Sequence, residues 1–117
     1  MVKLQTEHGY IEIANDVFTI LASDAATQCF GVKGMVVRSM TDGLVHLLKR
    51  EAMRKGVRVR YDEDGTASIE LRIAVDQGVN IQVICDSIRS EVHYKVSKAT
   101  GVEIKNVDIY VDSIIIG

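Results

Sequence analysis

Residues 57–75 read VRVRYDEDGTASIELRIAV, and this stretch decides the fold. Val57, Val59 and Tyr61 alternate with Arg58, Arg60 and Asp62. Beyond the break, Ile69, Leu71, Ile73 and Val75 alternate with Glu70, Arg72 and Ala74. A period of two places the apolar set on one face of a strand and the polar set on the other. Asp62-Glu63-Asp64-Gly65 between the runs has turn chemistry, with a glycine available for positive φ, so the pair predicts a β-hairpin. Strands buried on both faces would be nearly continuously apolar; these are not, so helices are expected on one face only.

Working outward, a long helix follows the hairpin. Asn80 caps it, Ile81, Ile84, Cys85, Ile88, Val92 and Val96 recur at helical spacing, and Gly101 ends it. Val107, Ile109 and Val111 then alternate with Asp108, Tyr110 and Asp112 in a closing strand. Upstream, Ile11 and Ile13 flank Glu12 in a short strand pattern, and Asn15 or Asp16 can cap a helix. Val17, Ile20, Leu21, Ala25 and Phe30 lie near one face of that helix, with Gly31 as terminator. A second helix is predicted from Thr41 to Lys55, closed by Gly56, with Leu44, Val45, Leu48 and Ala52 as its apolar stripe. The order β-α-α-β-β-α-β predicts an α+β two-layer sandwich, a largely antiparallel sheet with helices on one face. At 117 residues, one domain spanning 1–117 is expected.

Composition narrows the class. Hydrophobic residues make up 47% and charged residues 26%, which is too apolar for a disordered chain. Cys29 and Cys85 form no CxxC pair and read as small buried hydrophobes rather than a disulfide framework. With no proline there is no PxxP segment. The start, Met1-Val2-Lys3-Leu4-Gln5-Thr6-Glu7-His8-Gly9, has no apolar core of a signal peptide, and no run approaches the roughly 20 apolar residues of a membrane span. A cytoplasmic protein is expected, with any membrane role exerted through a surface or a partner.

Chemistry is sparse. His8, His46 and His93 have no metal-ligand spacing, and HExxH, GxSxG, Walker and GxGxxG patterns are absent. The Asp62–Gly65 acids do not make an EF-hand, because the fifth and twelfth positions counted from Asp62 are Thr66 and Ile73. No catalytic residue, metal site, cofactor or small-molecule substrate is expected. What remains is a charge segregation within a formal net charge of −2. Between Lys33 and Arg60 stand Lys33, Arg38, Lys49, Arg50, Arg54, Lys55, Arg58 and Arg60 against Asp42 and Glu51, which is +6, and the rest of the chain carries −8. On the predicted second helix, His46, Lys49, Arg50, Met53 and Arg54 make a basic stripe opposite the apolar one. Two readings stay open: a solvated face, or an anion- or partner-binding surface with RNA, anionic lipid headgroups or an acidic protein as its candidates. Gly31-Val32-Lys33-Gly34 adds a GxxG between the two predicted helices, the arrangement by which a KH domain clamps a nucleic-acid backbone. A KH-like RNA-binding module using Gly31 to Gly34 is therefore the alternative function.

Four segments in order resemble one family. They are Gly9-Tyr10-Ile11-Glu12-Ile13-Ala14-Asn15-Asp16-Val17; Ala25-Ala26 with Cys29-Phe30-Gly31-Val32-Lys33-Gly34-Met35; Gly78-Val79-Asn80-Ile81; and Thr100-Gly101-Val102 with Asn106-Val107-Asp108-Ile109-Tyr110-Val111. Together they resemble the alkaline shock protein family of envelope stress-response proteins, found mainly in Gram-positive bacteria, in its small branch without a long charged tail. The resemblance covers about Gly9 to Ile116 and implies a non-enzymatic cytoplasmic protein. It also implies a protein partner that is membrane-anchored in some members, and self-association into oligomers or filaments. It supplies no catalytic or ligand-binding residues. The closing Ile114-Ile115-Ile116 fits self-association on physical grounds too, because three consecutive isoleucines cannot all face one core. A tail that folds back would accommodate them equally.

Overall fold

The computed structural model describes residues 2–38 and 43–116, without the side chains of residues 38, 50 and 51. The predicted hairpin is its centre: β5 (Val57–Tyr61) pairs antiparallel with β6 (Ala67–Asp76), and Gly65 takes φ +88 in the turn. Thr66 closes this turn, its hydroxyl and backbone N–H donating to Asp64 Oδ1 at 2.7 and 3.1 Å.

β6 is used along its whole length. One edge is shared end to end by β5, against residues 67–71, and by β3 (Val32–Arg38), against residues 73–75. The other edge takes β7 (Ile104–Ile115), the one parallel pairing among the described strands of this sheet. β4 (Val45–Leu47) extends the sheet beyond β3. Ile69, Leu71, Ile73 and Val75 from β6 join Met35, Val57 and Val107 in the core. α1 (Asn15–Thr27) and α2 (Ile81–Thr100) both pack onto that face. The predicted class therefore holds: α+β, mostly antiparallel, helices on one side. β1 (Val2–Thr6) and β2 (Gly9–Ile13) form a separate hairpin, of which the sequence pattern showed only the second strand.

The second predicted helix does not form. Thr41 and Asp42 lie outside the described residues; Val45–Leu47 is a strand, and Arg50–Gly56 a short 3-10 helix. The reason lies in Val32–Arg38. This β-branched stretch becomes a strand, and β4 pairs with it where an exposed row of backbone groups would otherwise remain. Gly56 then packs directly on β3, where an added Cβ would stand 3.0 Å from both Met35 Cβ and the Val36 carbonyl.

α1 also turns a different face inward from the one expected. Its buried residues are Phe18, Thr19, Ala22, Ser23, Ala25 and Ala26, whereas Val17 and Ile20 are exposed. Alanines at these positions let α1 approach α2 and the sheet closely, and that fit outweighs the extra area of the larger aliphatics. Asn15 does not cap the helix; Ala14 holds the cap position, and Asn15 Oδ1 accepts a 2.7 Å bond from the Tyr61 hydroxyl instead. α2 follows expectation, with Asn80 accepting from the Val83 N–H and Gly101 ending the helix at φ +75.

Truncation at the centre of β6 should be felt across both layers: Leu71→Ala is expected to lower stability by about 2–5 kcal/mol in urea denaturation. The turn gives a pH signature. The Thr66 hydrogen bonds hold the Asp64 carboxyl below the ordinary carboxylate range, so their stabilisation is full at neutral pH and lost as pH falls through that lowered pKa. An NMR titration should find Asp64 low in the wild type and moved upward in Thr66→Val.

Candidate functional site

The residues of the predicted basic surface do not gather on a helix stripe. Lys33 lies at the start of β3, 3.8 Å from Asp76 Oδ1. His46 is on β4 opposite Val37, and Lys49 precedes the 3-10 helix. Arg54 reaches Asp16 of α1 at 3.9 Å. The side chains of Arg38 and Arg50 lie outside the described residues. Arg58 and Arg60 do share a face, as the strand alternation required, and both are exposed on the side of the sheet away from the helices. The Gly31–Gly34 stretch is not a loop between helices. Gly31 makes the turn into β3 at φ +88, where a Cβ would run into the Ile84 side chain. Gly34 is inside the strand, beneath the Leu47 side chain.

That outer sheet face is organised around Arg72. Its guanidinium donates to both carboxylate oxygens of Asp112, at 3.1 and 3.3 Å, stands 3.7 Å from Glu70 and lies 4.5 Å over the Tyr110 ring. Asp112 occupies the register shift in β7, and only 10% of its side chain is accessible. Beyond it, Ser113 and Ile114 pair with Ala74 and Val75. A larger groove of about 650 Å³ lies between α2 and β7, lined by Asp86, Arg89, Ser90, His93, Lys105 and Asp108 among others. Arg89 spans it, bonding Asp86 at 3.2 Å and the Val107 carbonyl at 3.3 Å.

The two cysteines stand in different surroundings. Burial pushes the Cys85 thiol up from its ordinary value, away from the thiolate form. Cys29 is buried, its Sγ 3.5 Å from the Ala25 carbonyl and 3.9 Å from Ser87 Oγ. Among the described residues no three or more His, Cys, Asp or Glu side chains converge as a metal site.

Beyond the isoleucine tail, the feature that sequence reasoning missed is an apolar end. The Asp76 N–H donates to the Gly31 carbonyl at 2.9 Å, and the Gln77 N–H to the Ile115 carbonyl at 3.2 Å. These bonds bring the end of α1, the start of α2 and the end of β7 together. Phe30 is 92% exposed there, with Ile81, Val83, Ile114 and Ile116 also on the surface. The sequence held a partial signal, since three consecutive isoleucines at 114–116 cannot all face one core. The isoleucine tail splits as its pattern required, Ile114 and Ile116 exposed and Ile115 half-buried.

The comparisons with known proteins agree with this frame. The profile of the alkaline shock protein family, described by a cell envelope-related function, matches residues 3–116. The chain belongs to the alkaline shock protein family. Relatives include the uncharacterized protein YloU of Bacillus subtilis (strain 168), 32% identical over 114 residues, covering 97% of this chain and 94% of YloU. The uncharacterized protein Spy1614 of Streptococcus pyogenes serotype M6 is also 32% identical over 114 residues, covering 97% of this chain and 93% of its own. Among solved structures, the copper form of the MamM CTD is similar, with a TM-score of 0.51 at 17% identity over 88% of this chain and 89% of that one. At that identity the likeness concerns the fold alone.

The Arg72 cluster should be structural in this alkaline shock protein. Arg72→Met leaves the Asp112 carboxylate largely buried without its cation, and is expected to cost about 1–3 kcal/mol by chemical denaturation. Lys33→Met, at an exposed pair, should stay within about 0.5 kcal/mol of wild type.

Proposed function

We propose that this protein is a non-enzymatic scaffold or binding protein of the cell envelope, working through protein–protein contact at the cytoplasmic face of the membrane. The observation that carries the reading is the apolar end. Phe30, Ile81, Val83, Ile114 and Ile116 are large apolar side chains left in water after α1, at the start of α2 and at the end of β7, segments linked through the Asp76–Gly31 and Gln77–Ile115 backbone hydrogen bonds. Exposed single apolar residues are ordinary, but several large ones on neighbouring segments suit a contact surface. Aromatic residues at such positions are the usual anchors of interfaces. Family membership supplies the setting, a cell envelope-related function. No helix among the described residues is long and apolar enough to cross a membrane, so envelope association on this reading comes through a membrane-anchored partner. Self-association through Ile114 to Ile116 belongs to the same surface.

Photo-crosslinking in cells tests it. A benzoylphenylalanine at Phe30 or Val83 is expected to give adducts recovered in the membrane fraction, and the same probe at Glu63, in the turn between β5 and β6, to give none. Absence of adducts from both apolar-end positions would overturn the reading. Light scattering of purified protein across concentration separates the two kinds of contact. Loss of a concentration-dependent oligomer on deleting Ile114 to Gly117 assigns the tail to self-contact.

A further inference from the structure

On the outer face of the sheet, cross-strand partners fall into rows. Arg60, Ser68 and Asn106 form one row across β5, β6 and β7, and Arg58, Glu70 and Asp108 form the next. A groove of about 340 Å³ runs between β5 and β6, with Arg58, Arg60, Ser68 and Glu70 on its walls. Ser68 is only 4% exposed, and its hydroxyl has no hydrogen-bond partner. Buried hydroxyls are almost always bonded, so an unpartnered one in a groove wall needs a reason. Core packing does not provide it, because Ser68 lies on the face opposite the Ile69 and Leu71 side chains.

The neighbouring charges point to the missing partner. Arg58 and Arg60 are exposed, and among the described residues neither is engaged in a hydrogen bond or ion pair. Glu70 is the one carboxylate on the groove wall, and it is turned toward Arg72 at 3.7 Å. The next row adds Asp108, while the first row holds no carboxylate and ends in the Asn106 amide. Two guanidiniums beside one buried hydroxyl match a dianionic tetrahedral group better than a singly charged one.

We propose that Arg58, Arg60 and Ser68 form a binding site for a phosphate monoester. The two guanidiniums take the phosphate oxygens, and the Ser68 hydroxyl donates to one of them as the arginine side chains shift from their present positions. The backbone of β5 and β6 stays as it is. The same chemistry occurs in a soluble phosphate ester and in the headgroup of phosphatidic acid.

The test uses the full chain, with backbone and arginine side-chain NMR signals followed during titration with inorganic phosphate at constant ionic strength. Saturable shifts confined to Arg58, Arg60, Ser68 and their strand neighbours are expected. Arg60→Gln should weaken the response by about tenfold or more, a change typical of losing a charge-assisted contact. Ser68→Ala should also weaken phosphate binding while leaving the urea midpoint unchanged or raised, because it removes an unpaired buried group. Cosedimentation with phosphatidylcholine vesicles, with and without phosphatidic acid, assigns the source. Binding of free phosphate alone indicates a soluble ester, and binding of both indicates the headgroup. A linear response spread over all lysines and arginines would overturn the proposal. So would unchanged affinity in Arg60→Gln, or a Ser68→Ala variant that loses stability and keeps its affinity. A response to single-stranded RNA with none to phosphate would overturn it as well, in favour of a nucleic-acid surface.

Discussion

Strand β6 is the constraint on which the rest of the structure depends. Its inward residues Ile69, Leu71, Ile73 and Val75 are essentially inaccessible to water. Each such side chain contributes roughly 1.5–3 kcal/mol by burial, so a strand that buries four of them fixes where its neighbours must go. A ten-residue strand also offers more edge than the five residues of β5 can cover. β3 takes the remainder of that edge, and β7 takes the other one in full. The connection from β3 to β5 then has to cross a short distance, which suits a small hairpin and a 3-10 turn better than a full helix.

The same constraint explains the surface. Two helices over one sheet face need close contact, and α1 meets it with Phe18, Ala22, Ala25 and Ala26. Larger side chains on the other flank of α1 and at its end are left outside. The exposure of Val17, Ile20 and Phe30 is thus a consequence of how the core packs, and the family to which the chain belongs has a cell envelope-related function. The opposite sheet face behaves differently. There Glu70, Tyr110 and Asp112 gather around Arg72, whereas the side chains of Arg58, Arg60 and Ser68 bond to none of them. One molecule therefore presents exposed hydrocarbon at one end and a separate groove lined by Arg58, Arg60, Ser68 and Glu70 on the sheet.

Much of the fold was legible because its determinants are local. The alternation in residues 57–75, the Asp62–Gly65 turn, the Asn80 cap and the Gly101 terminator each rest on chemistry within a few residues. Val45, Leu48 and Ala52 also fit a helical stripe, and that local signal misled, because the competing interaction is the pairing of Val45–Leu47 with a strand seven or more residues away. The basic stripe fell with the helix that was to carry it. Arg58 and Arg60 kept their shared face because a strand's two-residue period survives any change in its neighbours.

By itself, the sequence determined the α+β class, the central hairpin, the long helix α2 and the family to which the chain belongs. These follow from periodicity, turn residues and ordered motifs that do not depend on distant contacts. Only the tertiary structure decided which face of α1 is buried, that Phe30, Val83, Ile114 and Ile116 stand in water, and that the Ser68 hydroxyl lies buried and unpartnered on the strand position opposite Arg60. Each of these depends on which surfaces meet at long range, and close packing between elements, rather than the preference of any one residue, sets that outcome.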